Sequence, residues 1–154
     1  MYSPSNIDAD GSVRHWHVTS GKSLGSLQDQ EQTNHLTYRQ DGQYFATVGT
    51  DLQVRSYDAH TLKNITTASY GSRDTAAGHS NRIFCCKYNP TNPNILITAG
   101  WDEAIQVWDM RTQVSVRSIF GPHICGDSLD FSNDGKNLMS GSYSAKEGVQ
   151  VFFI

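Results

Sequence analysis

With 154 residues, 37% of them hydrophobic and 18% charged, the chain has the size and balance of one folded domain rather than of a disordered tail. Its 15 acidic and 12 basic residues leave a formal charge of -3 with no run of Lys and Arg to neutralise phosphates, so nucleic acid is not expected as a partner. No segment approaches the roughly 20 apolar residues of a membrane-crossing helix, and Met1-Tyr2-Ser3-Pro4 lacks the basic and apolar parts of a secretory signal; no membrane insertion and an intracellular setting, cytoplasmic or nuclear, are therefore expected.

In chain order, short β-branched, aromatic and apolar runs alternate with turn residues, the pattern of strands joined by tight turns. Val13-Arg14-His15-Trp16 follows a turn at Asp10. A fuller unit comprises strands 34–38, 43–48, 52–57 and 62–67, with turns at 39–42 and 49–51. The clearest unit, 77–119, has strands 82–88, 95–99, 104–108 and 113–119, with turns at 89–94 and 100–103. A last unit opens near Gly121-Pro122-His123, passes through 129–135 and 137–142, and reaches Val149-Gln150-Val151-Phe152, which aligns with Ile105-Gln106-Val107-Trp108. Asp10, Asp51 and Asp102 each stand six residues before an aromatic, Trp16, Tyr57 and Trp108, so one register recurs three times along the chain.

The clearest unit contains Gly78-His79 and, 29 residues past that His, Trp108-Asp109. At these residues the chain resembles the WD-repeat family, whose members are β-propellers built from four-stranded antiparallel blades. The resemblance implies an all-β fold with a partial blade at 1–28, blades at 29–70 and 71–120, and a partial blade at 121–154 that lacks its outermost strand. It is looser elsewhere, with Asp29 where the second unit would carry Gly-His and Phe152-Phe153 in place of Trp-Asp in the last. A propeller ring closes with four to eight blades, so an incomplete ring is expected, belonging to a larger complex or a longer chain. The resemblance further implies that His79, Thr98, Asp102 and Trp108 form a structural hydrogen-bonded network inside one blade. Asp accepts from the imidazole, the hydroxyl bridges and the indole N–H donates.

The implied function is a non-catalytic scaffold that presents a propeller surface to other proteins or peptides, without a cofactor. By the same resemblance, the contact residues are Arg82, Phe84 and Trp101 in the clearest blade, Gln32, Asn34 and Thr50 in the one before, and Asp127 in the last. Arg82 and Phe84 are expected to alternate onto one strand face. The competing expectation is that Phe84 or Trp101 packs between blades, as large aromatics do in cores. Trp108-Asp109-Met110-Arg111 also resembles the Trp-Asp-x-Arg box of propellers that dock onto cullin-RING ubiquitin ligases, which gives an alternative function as a ligase substrate receptor with Arg111 as its distinctive residue. A hydrolase on a propeller scaffold is the alternative of another class, but no strand–G-x-S-x-G–helix context and no phosphate-binding loop is present. His15 and His17 place two imidazoles on one strand face without a third ligand at useful spacing, so they read as surface histidines and no metal is expected. Cys85, Cys86 and Cys125 are odd in number and read as reduced thiols, mostly buried.

Overall fold

The computed structural model describes residues 5–7, 10–29, 31–69, 78–144 and 147–154, and among them every regular element is a β-strand. The strands are β1 (Ser5–Ile7), β2 (Ser12–His17), β3 (Lys22–Gln28), β4 (Thr33–Tyr38), β5 (Tyr44–Gly49), β6 (Val54–Asp58) and β7 (Asn64–Ala68). They continue with β8 (Ile83–Tyr88), β9 (Ile95–Gly100), β10 (Ala104–Asp109), β11 (Val114–Phe120), β12 (Leu129–Phe131), β13 (Asn137–Gly141) and β14 (Val149–Phe153). Each pairs antiparallel with its sequence neighbour inside one of four sheets, β1–β3, β4–β7, β8–β11 and β12–β14. Two of these sheets have four strands and two have three, and none closes on itself.

The sheets stack through three apolar cores, and the two-residue period of a strand decides which residue enters which core. Leu96 and Trp108 form a cross-strand pair facing one way, toward Ala46, Val48 and Val54 of the second sheet. Their chain neighbours Ile97 and Val107 pair facing the other way, toward Ile124 in the connection to the fourth sheet and Leu129 and Leu138 within it. Cys85 and Cys86 are divided in the same manner, both fully buried but in different cores, while Cys125 is exposed. Phe45 and Tyr57 stack at 5.2 Å in the remaining core, against Val13 of the first sheet. A sheet used on both faces needs apolar residues at consecutive positions, which explains why β9 and β10, the middle strands of the third sheet, are almost wholly buried.

The recurring Asp has a local cause. Asp10 and Asp51 each accept the backbone N–H two residues on, at 2.9 and 3.2 Å, which holds the residue between at positive φ: 82° for Gly11 and 66° for Leu52. Glu103, after Asp102, adopts 55° in the same way. Leu52 consequently lies in the turn, and β6 begins at Val54, two residues later than the pattern 52–57 suggests. Beyond the strands expected, the first sheet also contains β1 and β3.

Candidate functional site

In the third sheet, His79 Nδ1 lies 2.7 Å from Asp102 Oδ2, and His79 Nε2 lies 2.6 Å from Thr98 Oγ1. Trp108 Nε1 donates to the same hydroxyl at 2.7 Å. These bonds fix their own directions, because the carboxylate can only accept and the indole can only donate. Nδ1 therefore carries the imidazole proton, and the Thr98 hydroxyl accepts from Trp108 and donates to Nε2. Burial raises the pKa of Asp102, but the bonds from His79 and from the Ser80 N–H outweigh it, and the net displacement is downward.

The second sheet builds a corresponding network from different residues. Buried Asp29 accepts from Thr47 Oγ1 at 3.2 Å and Thr33 Oγ1 at 3.3 Å, and the Tyr57 hydroxyl donates to its other oxygen. Arg55 lies beside it, with Nε 3.8 Å from Asp29 and its terminal nitrogen bonded to Asp51. Burial, together with the Asp29 carboxylate, drives the Tyr57 pKa upward, so the phenol stays a donor. Thr47, Asp51 and Tyr57 repeat the spacing of Thr98, Asp102 and Trp108. That spacing was the available signal for this second network, whereas the substitution of a carboxylate for the imidazole concealed it.

The expected contact residues divide into separate groups. Arg82, Phe84 and Trp101 come together: Phe84 and Trp101 stack at 5.0 Å, and the Arg82 guanidinium lies 5.8 Å from the Trp101 ring centre. His123, from the chain entering the fourth sheet, stacks on Trp101 at 6.3 Å and extends the row. Strict alternation of Arg82 and Phe84 on one strand face is not what joins them, since Arg82 precedes β8 and a bulge at Phe84 interrupts the register. They meet through Trp101. Its backbone N–H donates to the Arg82 carbonyl at 3.1 Å, an approach allowed by Gly100, where a side chain would collide with that carbonyl. Trp101 remains 40% exposed, whereas Phe84 is half-buried against the core shared with Ile124 and Leu129.

Gln32 and Thr50 meet one another, the Thr50 N–H donating to the Gln32 carbonyl at 3.1 Å. Asn34 Nδ2 donates to the Ile83 carbonyl at 2.8 Å and so ties β4 to β8. Asp127 lies 3.4 Å from His35 Nε2, 3.4 Å from Cys85 Sγ and 3.1 Å from Lys87 Nζ, in a cluster that sequence reading missed because its members come from β4, β8 and the segment leading into β12. Burial pushes the Cys85 thiol up to about 12. Arg111 is exposed and bonded through Nε and its terminal nitrogen to Asp109, at 3.0 and 2.7 Å. His15 is partly buried and His17 exposed, its Nδ1 hydrogen-bonded with Ser20 Oγ at 2.9 Å.

Stacked antiparallel sheets joined through shared apolar cores define blades of a β-propeller. A family model described as WD domain, G-beta repeat, matches residues 71–109, the stretch that holds the His79 to Trp108 network. The chain thus contains a WD-type repeat within blades of a β-propeller fold. It is 26% identical over 130 residues to the nuclear distribution protein PAC1 of Komagataella phaffii, covering 84% of this chain and 25% of the relative. It is 29% identical over 129 residues to a U3 small nucleolar RNA-associated protein 21 homolog of Schizosaccharomyces pombe, covering 84% of this chain and 13% of that one. Against the COMPASS component SWD3 of Saccharomyces cerevisiae the identity is 31% over 111 residues, covering 71% of this chain and 32% of the other. The chain thus spans between 13 and 32% of the length of these relatives. A chain in a crystal structure of the mitotic checkpoint complex matches the fold with a TM-score of 0.80 at 22% identity, over 97% of this chain and 44% of that one.

Proposed function

We propose that the chain is a non-catalytic, intracellular scaffold that binds other proteins or peptides through the surface carrying Arg82, Trp101 and His123, with Phe84 as its support. The observation that carries the proposal is Trp101 itself, a large aromatic left 40% exposed yet held between two other rings with a guanidinium beside it. A rigid exposed aromatic loses little entropy on contact, and Trp with Arg is the composition that dominates interface hot spots. The relatives bear the names of a nuclear distribution protein and of a COMPASS component, which agrees with a binding role. In the third blade, both ring nitrogens of His79, the Thr98 hydroxyl and the Trp108 indole N–H are engaged within the network, which supports a structural assignment for His79, Thr98, Asp102 and Trp108.

The test is quantitative capture of partners from cell extract by the wild-type chain, Trp101→Ala and Arg82→Ala. A partner held by this surface is retained by the wild type and weakened roughly thirtyfold by Trp101→Ala, the equivalent of about 2 kcal/mol. If every captured protein binds the variants as well as the wild type, the surface is not the contact site.

A further inference from the structure

His35, Cys85 and Asp127 lie on the innermost strands of three consecutive blades or directly before one of them, and their ligand-type atoms all fall within 4.8 Å of one another. From this convergence we infer that the three residues form a binding site for a zinc-type divalent cation that clamps the second, third and fourth blades together. The donor set is imidazole nitrogen, thiol sulfur and carboxylate oxygen, the combination that borderline-soft divalent cations accept.

The spacing fits. With bonds of about 2.0–2.3 Å, the ligands of a tetrahedral zinc ion lie roughly 3.3–3.8 Å apart. Asp127 Oδ1 is 3.4 Å from His35 Nε2 and 3.4 Å from Cys85 Sγ, so two edges of the tetrahedron are already in place. The far side of the imidazole is held by Cys86, whose backbone N–H donates to His35 Nδ1 at 3.4 Å with its Sγ also 3.4 Å away, so the ring proton rests on Nε2; coordination through Nε2 shifts that proton to Nδ1, where Cys86 Sγ can accept it. Lys87 is the competing cation in the cluster. Its ammonium is 3.1 Å from Oδ1 and 3.4 Å from Oδ2 of Asp127, and a shift onto Oδ2 leaves Oδ1 for the metal. A cleft bordered by Ser128, Asp130 and Met139 opens beside Asp127 and gives an ion a route from solvent. On binding, the cation takes the place of the Cys85 thiol proton, which leaves to solvent, and the thiolate, the carboxylate and the divalent ion balance in charge.

The experiment titrates the reduced chain with Co2+, whose tetrahedral thiolate complexes absorb in the visible and near ultraviolet, and then displaces it with Zn2+. The wild type is expected to take up one Co2+ per chain with such a band, to lose the band to Zn2+, and to melt at a temperature that rises with the concentration of either ion. Cys85→Ser should abolish the band. Because Cys85 is fully buried and its variant can fail to fold, Asp127→Asn, at a half-exposed side chain, is the second variant, with affinity expected to fall roughly tenfold or more while the fold is kept. Cys125→Ser should leave the band intact. No band in the reduced wild type, an unchanged band in Asp127→Asn, or a band abolished by Cys125→Ser and not by Cys85→Ser would each overturn the assignment.

Discussion

Thr98→Val tests the physical account of the third blade most directly, because it removes one hydroxyl and almost no volume. That hydroxyl accepts the Trp108 indole N–H at 2.7 Å and donates to His79 Nε2 at 2.6 Å, and all three side chains are buried. With valine in place, one donor and one acceptor are left without partners. Each orphan costs about 1–3 kcal/mol, so the substitution should cost about 2–6 kcal/mol in all. For a chain of this size that is a fall in melting temperature of about 4–24 °C, measurable by circular dichroism at 218 nm. Thr47→Val in the second blade supplies the comparison. Thr47 gives Asp29 one bond at 3.2 Å, while Thr33 and Tyr57 continue to serve the same carboxylate, so the loss there should be about 1 kcal/mol. Equal losses in the two blades, or a Thr98→Val protein that melts within about 1 °C of wild type, would refute the idea that the hydroxyl is the hub of its network.

Asp102→Ala should destabilise the chain by about 1–3 kcal/mol at pH 7, since it strips the acceptor from buried His79 Nδ1. The Asp102 carboxyl is held below its ordinary value of 3.8, so its contribution is complete above pH 3.8 and declines as pH falls through the folded-state value; the gap in melting temperature between wild type and variant should therefore narrow below pH 3.8 and stay constant above it. Arg111→Ala should leave melting unchanged, because the Arg111–Asp109 pair is exposed on the Arg side. If the chain is a ligase substrate receptor, the same variant should lose a cullin-RING adaptor from co-purification; if no adaptor depends on Arg111, the scaffold reading stands without the ligase.

What the sequence disclosed was whatever the chain repeats. The turn Asp, the strand Thr and the following aromatic recur because each blade must reverse its chain at the same place and join its buried polar groups, so their spacing survives even where the residues change. Strand β3 was not legible, since its outer position leaves Lys22, Ser23 and Leu24 exposed and no apolar alternation develops. Pairings between blades were equally hidden. His35 and Asp127 meet because two inner strands happen to flank a third, and no local pattern in either segment signals the other. The row ending in His123 has the same origin, because stacking on Trp101 depends on how the fourth blade enters the structure and not on the residues around His123.

Phe84 is where the two expectations for the aromatic pair, contact surface or core, can be separated. One side of its ring stacks on Trp101, and the ring also packs against the core formed with Ile124 and Leu129, so its truncation acts on both. A fully buried Phe costs about 3–5 kcal/mol when cut to Ala, and the half-buried Phe84 should cost about 2–3 kcal/mol of stability. Trp101, 40% exposed, should cost only about 1 kcal/mol from its ring stacking. Binding should order the two the other way, with Trp101→Ala weakening a partner directly and Phe84→Ala weakening it through a Trp101 that has lost its backing. Measuring melting temperature and affinity on both variants therefore yields a crossed pattern: the larger drop in stability for Phe84→Ala, the larger drop in affinity for Trp101→Ala. If Phe84→Ala is instead the more damaging in both measurements, Trp101 is no anchor, and the contact surface must lie elsewhere on the blades.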